Sequence, residues 1–242
     1  MPKQTHTVSS SAVITAKDDR EMISADSDPR LALGRSMLYR VFIECFHYPD
    51  EVFATSIGNG EMLRALSHQF EEAGYVSTTI DELALTADYD CEDIQVEYTR
   101  LFDVGVDQSA CSLRESDYPG SERMALLEEV LRYYEHFGLL PPEQYMVTPD
   151  HLLAELEFMH FMAYQEGIFL QQGLDPGPYR RGQHDFLTRH PGRWVPMLVN
   201  ALEKQGAKAY FPALVTCLNS FLGAETKRLE NILYGSLKEV SI

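Results

Sequence analysis

The sequence predicts an all-α fold, a single globular bundle of roughly eight to ten helices, from three observations. Residues 148–172 are apolar on almost every side at helical spacing, which is the signature of a helix enclosed by others. Helix-starting and helix-stopping residues punctuate the chain at intervals that suit helices and short connections. Val76–Ile80 is the one stretch that could pass for a strand, and no second strand candidate offers it a partner.

Taken in order, residues 1–28 are rich in Ser, Thr, Asp and Lys and predict a disordered leader ahead of a helical domain over 29–242. Asp28 and Pro29 start a helix running to about residue 48, with Leu31, Leu38, Phe42 and Cys45 on one face. Pro49 and Asp50 end it. A short helix is expected over 51–56, a turn at Gly58–Asn59–Gly60, and another helix over 61–73. Residues 74–86 read as loop and short helix. A helix over 87–102 carries Tyr89, Ile94, Val96, Leu101 and Phe102, and a long polar connection fills 103–120. Met124, Leu127, Val130, Leu131 and Tyr134 mark a helix over 121–137 that Gly138 stops.

The central helix opens with Thr148 as cap, Pro149 in the first turn and Asp150 at the positive end of the dipole. Leu152, Leu156, Met159, Ala163 and Leu170 form its most apolar line, and His151 and Glu155 stand one turn apart, where they can pair. Gly and Pro crowd 173–182, which reads as a loop. Short helices over 183–188 and 193–205 and a long one over 209–236 complete the chain.

Charge and motif content exclude several functions. Asp and Glu number 37 against 20 Lys and Arg, a formal charge of -17 that repels nucleic acid and anionic lipid and attracts cationic partners. Cys45, Cys91, Cys111 and Cys217 are too scattered for a metal site and read as reduced thiols of a cytosolic protein. No apolar run reaches membrane-spanning length, and the N-terminus has no signal-peptide pattern. The phosphate-binding, dinucleotide-binding and serine-hydrolase motifs are absent. Two Glu-x-x-His pairs, Glu44/His47 and Glu157/His160, with Glu97 and Glu128 on other helices, keep a di-iron carboxylate oxidoreductase as the rival reading. A plain acidic adaptor is a second rival.

Three blocks remain: Glu97-Tyr98-Thr99-Arg100-Leu101-Phe102, Cys111-Ser112-Leu113-Arg114-Glu115-Ser116, and Pro149-Asp150-His151-Leu152 followed by Glu155-Leu156-Glu157-Phe158-Met159. At these blocks the sequence resembles the TorD/DmsD/NarJ family of redox-enzyme maturation chaperones, and within it the branch serving type II dimethyl-sulfoxide-reductase-type molybdoenzymes. Gln183, Phe186, His190 and Trp194 match a further pattern of that family. Arg114 stands where the family more often has an aromatic residue. The resemblance implies a cytosolic chaperone that is not an enzyme and carries no cofactor or metal of its own. Its implied partners are the apo catalytic subunit of a molybdoenzyme and that subunit's twin-arginine signal peptide, held until the molybdenum cofactor is inserted and export proceeds. Either a monomer or a helix-exchanged dimer is compatible with it. The candidate client-binding residues are Asp150, His151, Glu155, Glu97, Tyr98, Phe102 and Glu115.

Overall fold

Residues 15–16, 27–76, 90–103, 111–120, 122–139, 148–207 and 210–238 are described in a computed structural model of the chain. They form a helical bundle: α1 Pro29–Phe46, α2 Glu51–Gly58, α3 Glu61–Glu72, α4 Cys91–Tyr98, α5 Arg123–His136, α6 Leu152–Gln171, α7 Gly177–Arg189, α8 Pro191–Lys204 and α9 Tyr210–Lys238. Among the described residues no helix is long and apolar enough to cross a membrane.

Local chemistry starts most of these helices as expected. Asp28 accepts from the Arg30 N–H at 2.9 Å with Pro29 in the first turn of α1. Asp50 accepts from the Phe53 N–H at 2.8 Å, and Asp90 from the Asp93 N–H at 2.8 Å. At the far end of α5, Gly138 takes a φ of 78° that L side chains avoid, and the helix stops.

α6 lies at the centre. Its residues Leu152, Leu156, Met159, Met162 and Ala163 are fully buried, and it packs most extensively along α1, then against α7. α9 closes the other side through α8 and α7. A Cβ on Gly34 of α1 would lie 2.4 Å from the Glu72 carbonyl oxygen, so only glycine lets α1 meet the end of α3 that closely.

A buried ion network ties the bundle together. The Glu166 carboxylate of α6 accepts from Arg35 of α1 at 3.3 Å, Arg180 of α7 at 2.8 Å and Gln183 of α7 at 2.9 Å. Arg228 of α9 stands 3.5 Å from Glu166 and donates to Glu225 at 2.9 Å, and Tyr75 donates its hydroxyl to Glu225 as well.

Five expectations change. α6 starts at Leu152, not at 149, because His151 is its cap and Pro149–Asp150 form the turn before it. The expected loop over 173–182 ends at Pro176, since Gly177 and Pro178 begin α7. Pro191 likewise opens α8, leaving His190 as the junction between two full helices. Both prolines start helices rather than break them, a first-turn proline giving up no intrahelical hydrogen bond. α4 begins at Cys91 and runs on as a π-turn over Thr99–Asp103. Finally, Tyr75–Val76 is a two-residue strand, β2, paired antiparallel with β1 (Thr15–Ala16), so its partner comes from the leader. Residues 1–14 and 17–26 of the leader, residues 77–89 and 104–110, and the Pro141–Pro142 segment lie outside the described residues.

Candidate functional site

The N-terminal end of α6 and the segment 111–120 are built as one unit. Leu152 donates its N–H to the Leu113 carbonyl at 2.8 Å, Glu115 donates to the Asp150 carbonyl at 2.9 Å, and Arg114 and His151 form an isolated antiparallel bridge. The Asp150 carboxylate accepts from the Ser116 N–H at 3.1 Å. Internal bonds hold the segment itself: Ser112 donates to Asp117 at 2.5 Å and Tyr118 donates to the Ser112 carbonyl at 2.7 Å. The Tyr118 ring then stacks on Trp194, with centroids 5.2 Å apart.

Beneath this segment lies a buried polar relay. Glu115, 1 % exposed, accepts from His190 Nδ1 at 2.9 Å and from Arg193 Nη2 at 2.8 Å. Glu155, 0 % exposed, accepts from Trp194 Nε1 at 2.9 Å. Glu155 therefore bonds Trp194 rather than the i,i+4 partner His151. The reason is that His151 is spent on the helix end, its Nδ1 accepting from the Leu153 N–H at 3.2 Å.

The electrostatics follow from burial. Burial, then the charge of Glu115, pushes the Glu155 carboxyl well above the ordinary range and so favours its protonated form. Burial, then the charge of Arg114, lowers His151 to about 4, so its ring is neutral and free to accept as a cap. Burial opposes charge on Asp150 too, but hydrogen bonding from Ser116 outweighs it and holds the carboxyl below its usual value. The sign for Glu155 is opposite to that of most carboxylates: a raised folded-state pKa means stability falls as pH rises above the unfolded value, about 4.3. Glu155→Gln keeps the size of the side chain and removes the titrating group. It should melt within a few degrees of the native protein at pH 7 and gain on it as pH rises. A melt many degrees lower at every pH would show that Glu155 works as a charge.

The remaining candidates surround a second feature. Glu97 is clamped by Arg100 through two bonds of 2.7 and 2.8 Å. Tyr98 donates to the Phe46 carbonyl at 3.0 Å, its hydroxyl pushed up to about 12 by burial, and Phe102 packs edge-on against Phe211. All three are buried. Above them Tyr48 rests edge-on against Tyr98 and, with Val96, Gln95, Thr99 and the Glu97-paired Arg100, lines an open groove of about 450 Å³. Tyr48 and Val96, which line it, are 53 and 59 % exposed, apolar side chains left at the surface. Asp50, Glu51 and Asp90 crowd close enough to Cys91 to raise its thiol pKa, after burial, and Glu92 lines the groove itself.

Of the seven candidate residues, then, Asp150, Glu155, Glu115, Glu97, Tyr98 and Phe102 are buried, and His151 alone is partly exposed. The structure brings Asp150, His151, Glu155 and Glu115 together, and His47, beside Tyr48, lies close enough for its charge to act on His151. Sequence reasoning missed Arg193 and the Tyr48–Val96 groove. An aromatic residue left at a helix end between His47 and Pro49 was the available signal for the groove.

The residues considered for a di-iron site find other partners: His160 Nδ1 lies 2.9 Å from the Ser36 hydroxyl, Glu44 pairs with Arg40, and Glu97 with Arg100. Among the described residues no three His, Cys, Asp or Glu side chains gather at metal-ligand spacing.

Residues 64–200 match the model of the family described as nitrate reductase delta subunit. The selenate reductase assembly chaperone protein of Thauera selenatis is 31 % identical over 180 residues, spanning 72 % of this chain and 93 % of that one. The perchlorate reductase assembly chaperone protein of Dechloromonas aromatica (strain RCB) is 29 % identical over 210 residues, spanning 84 % and 92 %. The chlorate reductase assembly chaperone protein of Ideonella dechloratans is 37 % identical over 113 residues, spanning 46 % and 58 %.

Proposed function

The chain belongs to the nitrate reductase delta subunit family, and on that premise we propose that it is a cytosolic assembly chaperone for a molybdoenzyme. It binds the apo catalytic subunit, through its twin-arginine signal peptide, and holds it until the molybdenum cofactor is inserted; it catalyses no reaction. The observation that carries this reading is the similarity to two assembly chaperones along more than nine-tenths of their own length.

The surface chemistry agrees with the partner. A twin-arginine peptide is a cationic head followed by an apolar segment. The Tyr48–Val96 groove offers exposed apolar side chains flanked by Asp50, Glu51, Glu92 and Asp90. In this proposal the buried candidates position the surface. Glu97, Tyr98 and Phe102 support the groove from below, while Asp150, Glu155 and Glu115 hold the 111–120 segment against α6. His151 is left as a half-buried contact whose Nε2–H is available to the client.

A labelled twin-arginine peptide tests the proposal. The association rate should fall as salt rises, because the Debye length shrinks from about 10 Å at 0.1 M to about 3 Å at 1 M. Tyr48→Ala should raise the dissociation rate. Equal binding of a peptide with both arginines replaced, or an association rate indifferent to salt, would remove the signal peptide as the partner.

A further inference from the structure

On the opposite chemistry from the acidic groove, α5 and α7 enclose an open cleft of about 640 Å³ that shares no lining residue with it. Its floor is apolar: Tyr133 and Phe137 are half-buried there, and α7 approaches them through Gly182. A Cβ at Gly182 would fall 2.5 Å from the Phe137 ring, so the floor depends on this glycine. Its rims are basic. Arg132, Arg181 and Arg189 all line the cleft and all are exposed, in a chain whose formal charge is -17.

Glu129 and Asp185 are the acids among the lining residues, and Glu129 is engaged by an arginine of the same cleft. Glu129 pairs with Arg189 at 2.5 Å and lies 3.8 Å from His190, and Asp185 lies 3.3 Å from His184. Arg132 donates to the Glu128 carbonyl of its own helix at 3.2 Å. Among the described residues, neither Arg132 nor Arg181 pairs with a carboxylate. Two exposed guanidinium groups thus stand above an aromatic floor, with the Asp175 carboxylate beside Arg181 across Gly177.

We propose that this α5–α7 cleft is a second docking surface, for an acidic peptide segment of a partner protein that carries an aromatic residue among its carboxylates. Guanidinium forks match carboxylates in paired hydrogen bonds, and the partner's ring covers Tyr133 and Phe137. Long polyanions such as nucleic acid are rejected by the acidic remainder of the surface. A twin-arginine head is rejected by the arginines themselves. This surface therefore does not depend on the signal-peptide reading, and the two peptides bind without competing.

The probe is a short fluorescein-labelled peptide in which acidic residues flank one tryptophan, followed by anisotropy with the full chain. Binding should weaken steeply between about 0.1 M and 1 M salt. Arg132→Ala combined with Arg181→Ala, both exposed, should leave the melt unchanged and weaken binding about tenfold or more. Exchanging the peptide's tryptophan for serine should also weaken it, and the twin-arginine peptide should not displace it. Affinity unchanged in the folded double variant overturns the proposal, as does binding indifferent to salt. Equal binding of the tryptophan-free peptide would reduce the cleft to a bare anion site and overturns it too.

Discussion

Replacing Glu166 by glutamine or alanine is expected to cost about 3–5 kcal/mol, much of the stability of an ordinary domain. The carboxylate is fully buried and faces Arg35, Arg180 and Arg228 from three other helices. Removing it takes the shared carboxylate away from the buried Arg35 and Arg228, which still face Glu225, and from the half-buried Arg180, and a buried charge that loses a partner is far more costly than the pair itself was favourable. Burial alone would raise the Glu166 pKa; the guanidiniums of Arg228, Arg35 and Arg180 outweigh it and bring the value to about 2. A depressed carboxylate contributes stability that is present in full above the unfolded value, about 4.3, and is lost as pH falls towards 2. Denaturant unfolding should therefore show the native protein weakening across that window and Glu166→Gln responding less. A Glu166→Gln midpoint equal to the native one at pH 7 would show the network to be energetically idle. The contrast with Glu155→Gln is the sharper test, since both residues are buried on one helix and differ only in which charges face them.

Truncating Leu156 to alanine is expected to cost about 2–5 kcal/mol, the range for emptying a packed core position. Leu156 is 0 % exposed in the second turn of α6, the helix that packs along α1 and α7, where the surrounding helices are already tied by the ion network and have little freedom to collapse into the void. His151→Gln should cost much less, because an amide oxygen can accept from the Leu153 N–H in place of Nδ1. A thermal melt of both variants beside an assay of client maturation separates fold from function. Early melting of His151→Gln would make the residue structural. Late melting with maturation intact would move the recognition surface away from His151, towards the Tyr48–Val96 groove.

Much of the bundle was legible without coordinates because the relevant physics is local. An aspartate ahead of a helical repeat caps it wherever the chain goes, as at Asp28 and Asp50; Asp90, expected inside a helix over 87–102, is a cap as well. The all-round apolar face of α6 could be satisfied only by enclosure. The errors were made where a local signal has two outcomes. Proline next to glycine at 177–178 and 191–192 suits both a loop and a helix start, and packing against α6 and α9 chose the start.

For the candidate site the sequence by itself determined the residue types and their grouping into three blocks, and it set the acidic balance of the surface. Only the tertiary structure decided what those residues do to one another. Whether Glu155 carries a charge depends on Glu115, and whether Glu115 is held depends on His190 and Arg193, far along the chain. The protonation state of a buried carboxyl is set by desolvation and by neighbours in space, and neither is a property of adjacent residues. The two clefts arose in the same way: each needs two helices brought side by side, one flanked by acids and the other rimmed by arginines, on a chain whose overall charge shows only the first.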